Sequence, residues 1–197
     1  VVVERDVPLE GAAVDRGDIS VIKVSDTVSA LGSLAFYWRQ RHPVRLIAIT
    51  GSAGKTSTKE MAASILGASR RVLKTEGNKN NLIGLPLTLL GLDNTVEAAV
   101  VELGISIPGE MKRLVEISAP DIAVITNIGR SHLKTLGSVE GVAKEKGELF
   151  RLMKPEGVRV VNMDDPYAVK AAEGAKNVIT FSLERAADVR VLDYGLL

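Results

Sequence analysis

Thr50-Gly51-Ser52-Ala53-Gly54-Lys55-Thr56 joins the apolar run Val44-Arg45-Leu46-Ile47-Ala48-Ile49 to a segment with helical patterning, so strand, glycine-rich turn and helix follow in succession. Glycines at 51 and 54 permit a tight turn whose backbone N–H groups converge on an anion. Lys55 adds a point charge there, and Thr56 offers a hydroxyl to a magnesium ion at the helix N-terminus. The stretch reads as a phosphate cradle. Ile49 stands where the longer Walker A spacing would place a glycine, so the motif is the shorter GxxGKT form. By itself it also fits a purely structural strand-to-helix turn.

Outward from this turn, apolar runs of strand length alternate with helical patterns: 46–50 then 56–66, 72–75 then 85–90, 98–102 then 108–117, 122–127 then 139–150, 158–161 then 167–172, and lastly 178–181. Short apolar strands without polar alternation predict an α/β fold, a mostly parallel sheet with helices on both faces. Ligands in such folds gather at the carboxyl ends of the strands. Before the cradle, residues 1–24 read as β-rich. Ser25 or Asp26 can cap a helix through Ala30, Leu34 and Trp38 to about Arg41, and His42-Pro43 ends it. A domain boundary is expected there, with 1–42 the tail of one module and 43–197 the nucleotide domain.

Composition narrows the class. The 197 residues are 46% hydrophobic, enough for one substantial core. Lys+Arg (25) nearly balance Asp+Glu (24), so no basic field marks a nucleic-acid binder. The absence of cysteine excludes disulfides and thiolate metal sites. No run approaches a membrane span, so no membrane insertion is expected, and the chain reads as cytoplasmic.

At the strand ends, Glu102 follows Ala98-Ala99-Val100-Val101, and Asn127 and His132 follow Ile122–Thr126. A carboxylate in that place is a hard oxygen donor for Mg²⁺, or else an ordinary helix cap. His132 alone reads equally as a loop histidine bonded to nearby backbone. Val139, Val142, Ala143, Lys146, Leu149 and Phe150 fall at helical spacing, which puts Lys146 on an apolar face while Lys144, Glu145 and Glu148 point elsewhere. Either the lysine snorkels to water, or it is desolvated. Moving its pKa from about 10.4 towards neutrality costs roughly 4 to 5 kcal/mol of ammonium stability and leaves an amine that can capture carbon dioxide as a carbamate.

The stretches TGSAGKTSTKEM (50–61), TEGNKNNLIGLPLTLL (75–90), VELGISIPGEM (101–111) and TNIGRSHLKTLGSVEGVAKEKGELF (126–150) together resemble the Mur ligases. VNMDDP (161–166) matches more weakly, and the residues before the cradle fit as well. Within that family they are most similar to the branch that joins D-alanyl-D-alanine to UDP-N-acetylmuramoyl-tripeptide in peptidoglycan synthesis. The resemblance implies a P-loop NTPase-like central domain and ATP-dependent amide ligation through an acyl phosphate. Gly51, Ser52, Ala53, Gly54, Lys55, Thr56 and Ser57 would hold the ATP phosphates. Thr56 and Glu102 would hold one Mg²⁺, and Glu102, His132 and carbamylated Lys146 a second. Asn78, Asn80 and Asn81 of the GNKNN loop would face the nucleotide-sugar substrate. It further implies that 1–42 end an N-terminal UDP-substrate domain, that 43–197 lack the close of the central domain and the C-terminal domain, and that the enzyme works as a monomer. Arg130 departs from the acidic or small residue that relatives tend to carry. A sibling ligase adding another amino acid, a folate polyglutamate-type relative and a P-loop ATP-binding module without ligation are the alternatives.

Overall fold

The computed structural model describes residues 1–5 and 20–192; the part of the expected β-rich segment at 6–19 lies outside the described residues. A short parallel pair comes first, β1 (Val2–Val3) with β2 (Ile22–Lys23). Helix α1 (Thr27–Arg41) follows. Asp26 caps it by accepting from Ser29 N, and Glu4 accepts from both the amide and the hydroxyl of Thr27. These bonds satisfy first-turn N–H groups that the helix itself leaves open.

The remaining strands are β3 (Arg45–Thr50), β4 (Val72–Lys74), β5 (Ala98–Glu102), β6 (Ile122–Ile125), β7 (Val158–Asn162), β8 (Val178–Ser182) and β9 (Val189–Arg190). They form one seven-stranded sheet in the order β4-β5-β3-β6-β7-β8-β9, with every pairing parallel. Between them run α2 (Lys55–Gly67), α3 (Gly84–Leu89), α4 (Glu110–Ser118), α5 (Leu133–Leu136), α6 (Val139–Leu152) and α7 (Pro166–Ala171). The expected α/β architecture is therefore present. The four-residue α5 was not legible, because one turn of helix carries no measurable period.

Successive side chains of β3 enter different cores, as strand geometry requires. Leu46 and Ala48 join the large cluster beneath α3, α4, α6 and α7, whereas Ile49 joins Ala63 of α2, Val100 and Val124 on the other face. Ile49 is fully buried and lies opposite Glu102 in the ladder. A glycine there would forfeit that packing, which accounts for the shortened loop motif. Helix α1 belongs to the large core too: Ala35 is buried in it, and Trp38 donates its indole N–H to Leu92 O at 2.8 Å. At the end of the sheet away from the cradle, Asp121 accepts from Leu46 N, Arg39 and Lys154. That carboxylate pins β3, α1 and the residues after α6 to one point.

Candidate functional site

The cradle forms as its glycines allow. Gly54 has φ +77°, a left-handed conformation that glycine adopts without steric cost, and an added Cβ there would meet nothing within 4 Å. At Gly51, φ is +156° and space forbids a side chain as well, since a Cβ would lie 1.9 Å from Thr126 Oγ1. No side chain caps α2, so its first N–H groups stay open to an anion beside the positive end of the helix dipole. Thr56 and Ser57 are exposed on that first turn. Lys55 folds back to donate to Gly51 O at 3.0 Å. An open helix start, a cation and a loop free of bulk suit a polyphosphate.

Two residues after β6 shape this loop. Ala53 N donates to Asn127 Oδ1 (3.0 Å), while Asn127 Nδ2 (3.1 Å) and Thr126 Oγ1 (2.6 Å) donate to Ala53 O. Ser52 Oγ accepts from Gly129 N and approaches Ser131 Oγ at 3.0 Å. The loop is thus stitched to the segment that leads to His132. Sequence reading had singled out Asn127 only by its position, and Thr126 not at all.

Glu102 ends β5 and is 3% exposed. Its Oε2 accepts from Thr56 Oγ1 at 2.9 Å and its Oε1 from Asn80 Nδ2 at 2.8 Å. A hydroxyl and a carboxylate therefore meet at the start of the phosphate-loop helix, a donor pair of the hard-oxygen type that Mg²⁺ prefers. Of the loop asparagines, Asn80 turns inward to Glu102, and Asn81 Oδ1 accepts from Ile83 N and Gly84 N to cap α3. Asn78 is exposed.

Lys146 lies where its spacing put it, buried among Val142, Leu149 and Phe150 on the inner face of α6. Burial pushes its ammonium down to about 8, the nearby charge of Lys55 pushes the same way, and Glu145 opposes both. Glu145 itself differs from expectation. It is buried, because its Oε1 accepts from Gly109 N (2.9 Å) and Met111 N (3.0 Å) at the uncapped start of α4. A carboxylate at a helix N-terminus gains from the dipole, which offsets its loss of water. His132 is exposed, with φ +51° just before α5. Backbone of that kind costs a non-glycine residue on the order of 1 kcal/mol and is retained where the surroundings enforce it. Among the described residues, no three His, Asp or Glu side chains converge on a metal position. The donors joined by hydrogen bonds are Thr56, Glu102 and Asn80, and Lys146 is close enough to Lys55 to feel its charge.

Lys59 and Thr75 were missed altogether. Both are buried, and Lys59 Nζ donates to Thr75 O at 2.7 Å. The signal existed: Lys59, Ala62, Ala63 and Leu66 fall on one helical stripe, the pattern that exposed Lys146. No helix among the described residues is long and apolar enough to cross a membrane.

Comparison with known proteins agrees with the geometry. Residues 49–195 match the Mur ligase middle domain. The UDP-N-acetylmuramoyl-tripeptide--D-alanyl-D-alanine ligase of Bacillus subtilis is 48% identical over 147 residues, 75% of this chain and 32% of that protein. The crystal structure of MurF from Acinetobacter baumannii superposes with a TM-score of 0.90 at 37% identity, covering 100% of this chain and 42% of that one. The MurF ligase of Thermotoga maritima, solved in complex with ADP, gives 0.83 at 33% identity over 93% of this chain and 41% of that one. The chain spans between a third and about two fifths of the length of these relatives. Sequence, topology and cradle thus agree: this chain belongs to the Mur ligase family and contains its middle domain.

Proposed function

We propose that the protein is an ATP-dependent amide ligase that adds D-alanyl-D-alanine to UDP-N-acetylmuramoyl-tripeptide in peptidoglycan synthesis. The observation that carries this reading is the Thr56–Glu102 pair at 2.9 Å beside an uncapped helix start. It unites a phosphate-binding element with a cation-binding one. Kinship supports it as well, since the B. subtilis relative carries that activity in its name and the T. maritima ligase was solved with ADP.

In this reading the carboxylate of the tripeptide attacks the γ-phosphorus of ATP and ADP departs. The amine of the dipeptide then attacks the acyl carbon, and phosphate leaves as the amine loses a proton. Gly51 to Ser57 bind the phosphates through backbone N–H groups. Lys55 would exchange its hydrogen bond to the neutral Gly51 carbonyl for an ion pair with a phosphate oxygen. Thr56 and Glu102 would hold one Mg²⁺, and Glu102, His132 and a carbamate on Lys146 would hold a second. Bound there, such ions would supply positive charge to offset the repulsion between the carboxylate and the phosphate. With its amine pushed down to about 8, Lys146 has roughly a tenth of its population neutral at pH 7, the form that captures carbon dioxide. Asn78 would meet the nucleotide sugar, while Asn80 donates to Glu102 and Asn81 caps α3. Residues 1–42 then close an N-terminal substrate domain, and the enzyme acts as a cytoplasmic monomer.

The test is to incubate the intact polypeptide with Mg-ATP, the UDP-linked tripeptide and D-alanyl-D-alanine. ADP release coupled to a UDP-linked pentapeptide, read by mass spectrometry, is the expected result. Turnover with a single amino acid in place of the dipeptide would move the assignment to a sibling ligase. ATP hydrolysis indifferent to both substrates would overturn the ligase reading.

A further inference from the structure

Lys59 is the buried lysine that the proposed chemistry does not use. It is 1% exposed on α2, one turn beyond Thr56. Its Nζ donates to Thr75 O at 2.7 Å and pairs with Glu60 Oε1 at 2.6 Å, while Glu60 Oε2 pairs with Lys74 at 2.6 Å. Thr75 follows β4, the edge strand of the sheet. Its N–H reaches Val100 O at 3.1 Å, and its Oγ1 accepts from Glu102 N at 3.0 Å. Glu102 in turn accepts from Thr56. The bonds close a ring: Thr56 to Glu102, Glu102 to Thr75, Thr75 to Lys59, and back along one turn of α2 to Thr56.

We propose that Lys59 is a positioning residue: acting through Thr75, it holds the Glu102 carboxylate in register with the Thr56 hydroxyl. A single hydrogen bond between α2 and β5 would act as a pivot. Two attachments a turn apart stop the helix from rocking and fix the distance between the two oxygens. Stability alone is a weak reason for the ammonium, because its desolvation consumes most of what the ion pair returns and a methionine would fill similar volume. A lysine reaches the end-of-strand carbonyl of Thr75 from inside the core, and an apolar side chain cannot donate to it.

The inference rests on the reading of Thr56 and Glu102 as magnesium donors. Its test is ADP binding by calorimetry, in Mg²⁺ and in chelator, on the intact polypeptide and its Lys59→Met and Thr75→Val variants. The wild type should bind ADP more tightly with Mg²⁺. Both variants should lose about tenfold of that enhancement, the scale on which partners of metal ligands act. Their affinity in chelator should stay unchanged, because the loop still holds the phosphates. A wild type without magnesium enhancement would defeat the metal reading itself. A wild-type enhancement retained in full by folded Lys59→Met, even with a lower melting temperature, would overturn the positioning role and leave a structural one. Should Lys59→Met fail to fold, Thr75→Val decides: it keeps the shape and removes the acceptor of Glu102 N–H, so an unchanged enhancement overturns the proposal.

Discussion

Replacing Lys146 by methionine should make the protein more stable at neutral pH while abolishing ligation. The ordinary lysine value of 10.5 falls to about 8 in the fold, so holding the ammonium inside at pH 7 costs about 3 kcal/mol, at about 1.4 kcal/mol per pH unit. The sign follows from proton binding. Between about 8 and 10.5 the unfolded chain binds more protons than the folded one, so stability rises with pH across that window. The penalty is fully present below about 8 and absent above 10.5. Methionine keeps the length and the packing and carries no charge, so it should gain up to about 3 kcal/mol at pH 7 and less than about 1 kcal/mol at pH 10. Urea denaturation of both proteins at the two pH values, in buffer freed of carbon dioxide, reads the difference as a shift in midpoint. A variant less stable than wild type at pH 7, or a gain that is the same at pH 10, would refute the argument. Loss of activity alongside the gain is the usual trade at a strained functional position.

Lys55→Ala should weaken ADP binding by about 10- to 100-fold, the worth of a charge-assisted hydrogen bond, and leave the melting temperature within a degree or so; near-normal affinity by calorimetry would remove its phosphate role. Gly104→Ala should disturb metal dependence, because the new Cβ would lie 2.6 Å from Asn80 Oδ1 and push that amide off Glu102. The expected outcome is a raised magnesium requirement, measured by titrating Mg²⁺ against turnover. Asp121→Asn should lower the melting temperature at pH 7. Burial works against the Asp121 carboxylate, but Lys154, the Leu46 N–H and Arg39 outweigh it and hold its pKa below the ordinary 3.8. Its stabilising share is therefore present above 3.8 and lost as pH falls through the depressed value. Melting curves of variant and wild type should converge in acid, and a constant gap across pH would contradict the account.

Much of this was legible in the chain because the signals are local. The four apolar residues Ala98–Val101 ahead of Glu102 have the length and composition of a strand buried on both faces, and alternation with helical periods leaves few options besides a parallel sheet. The GxxGKT turn carries its own chemistry, since its glycines, lysine and threonine act through backbone they themselves shape. Lys146 was legible by the same logic, as one charge on an otherwise apolar stripe.

Contacts between segments far apart in the chain were not. Glu145 faces water on a helical wheel, yet the uncapped start of α4 lies against it and supplies two N–H groups. Asn80, in a loop expected to face the substrate, also donates to Glu102 across 22 residues of sequence, a contact that no local pattern announces. Asn127 and Thr126 stitch the cradle across more than seventy residues of sequence. Lys59 reaches the end of an edge strand that its own helix period could not announce. The sequence by itself determined most of the elements and the phosphate-loop chemistry, because periodicity and turn geometry are properties of neighbouring residues. Only the tertiary structure decided which carboxylate meets which donor, because a hydrogen bond depends on tenths of an ångström set by how the whole sheet and its helices pack.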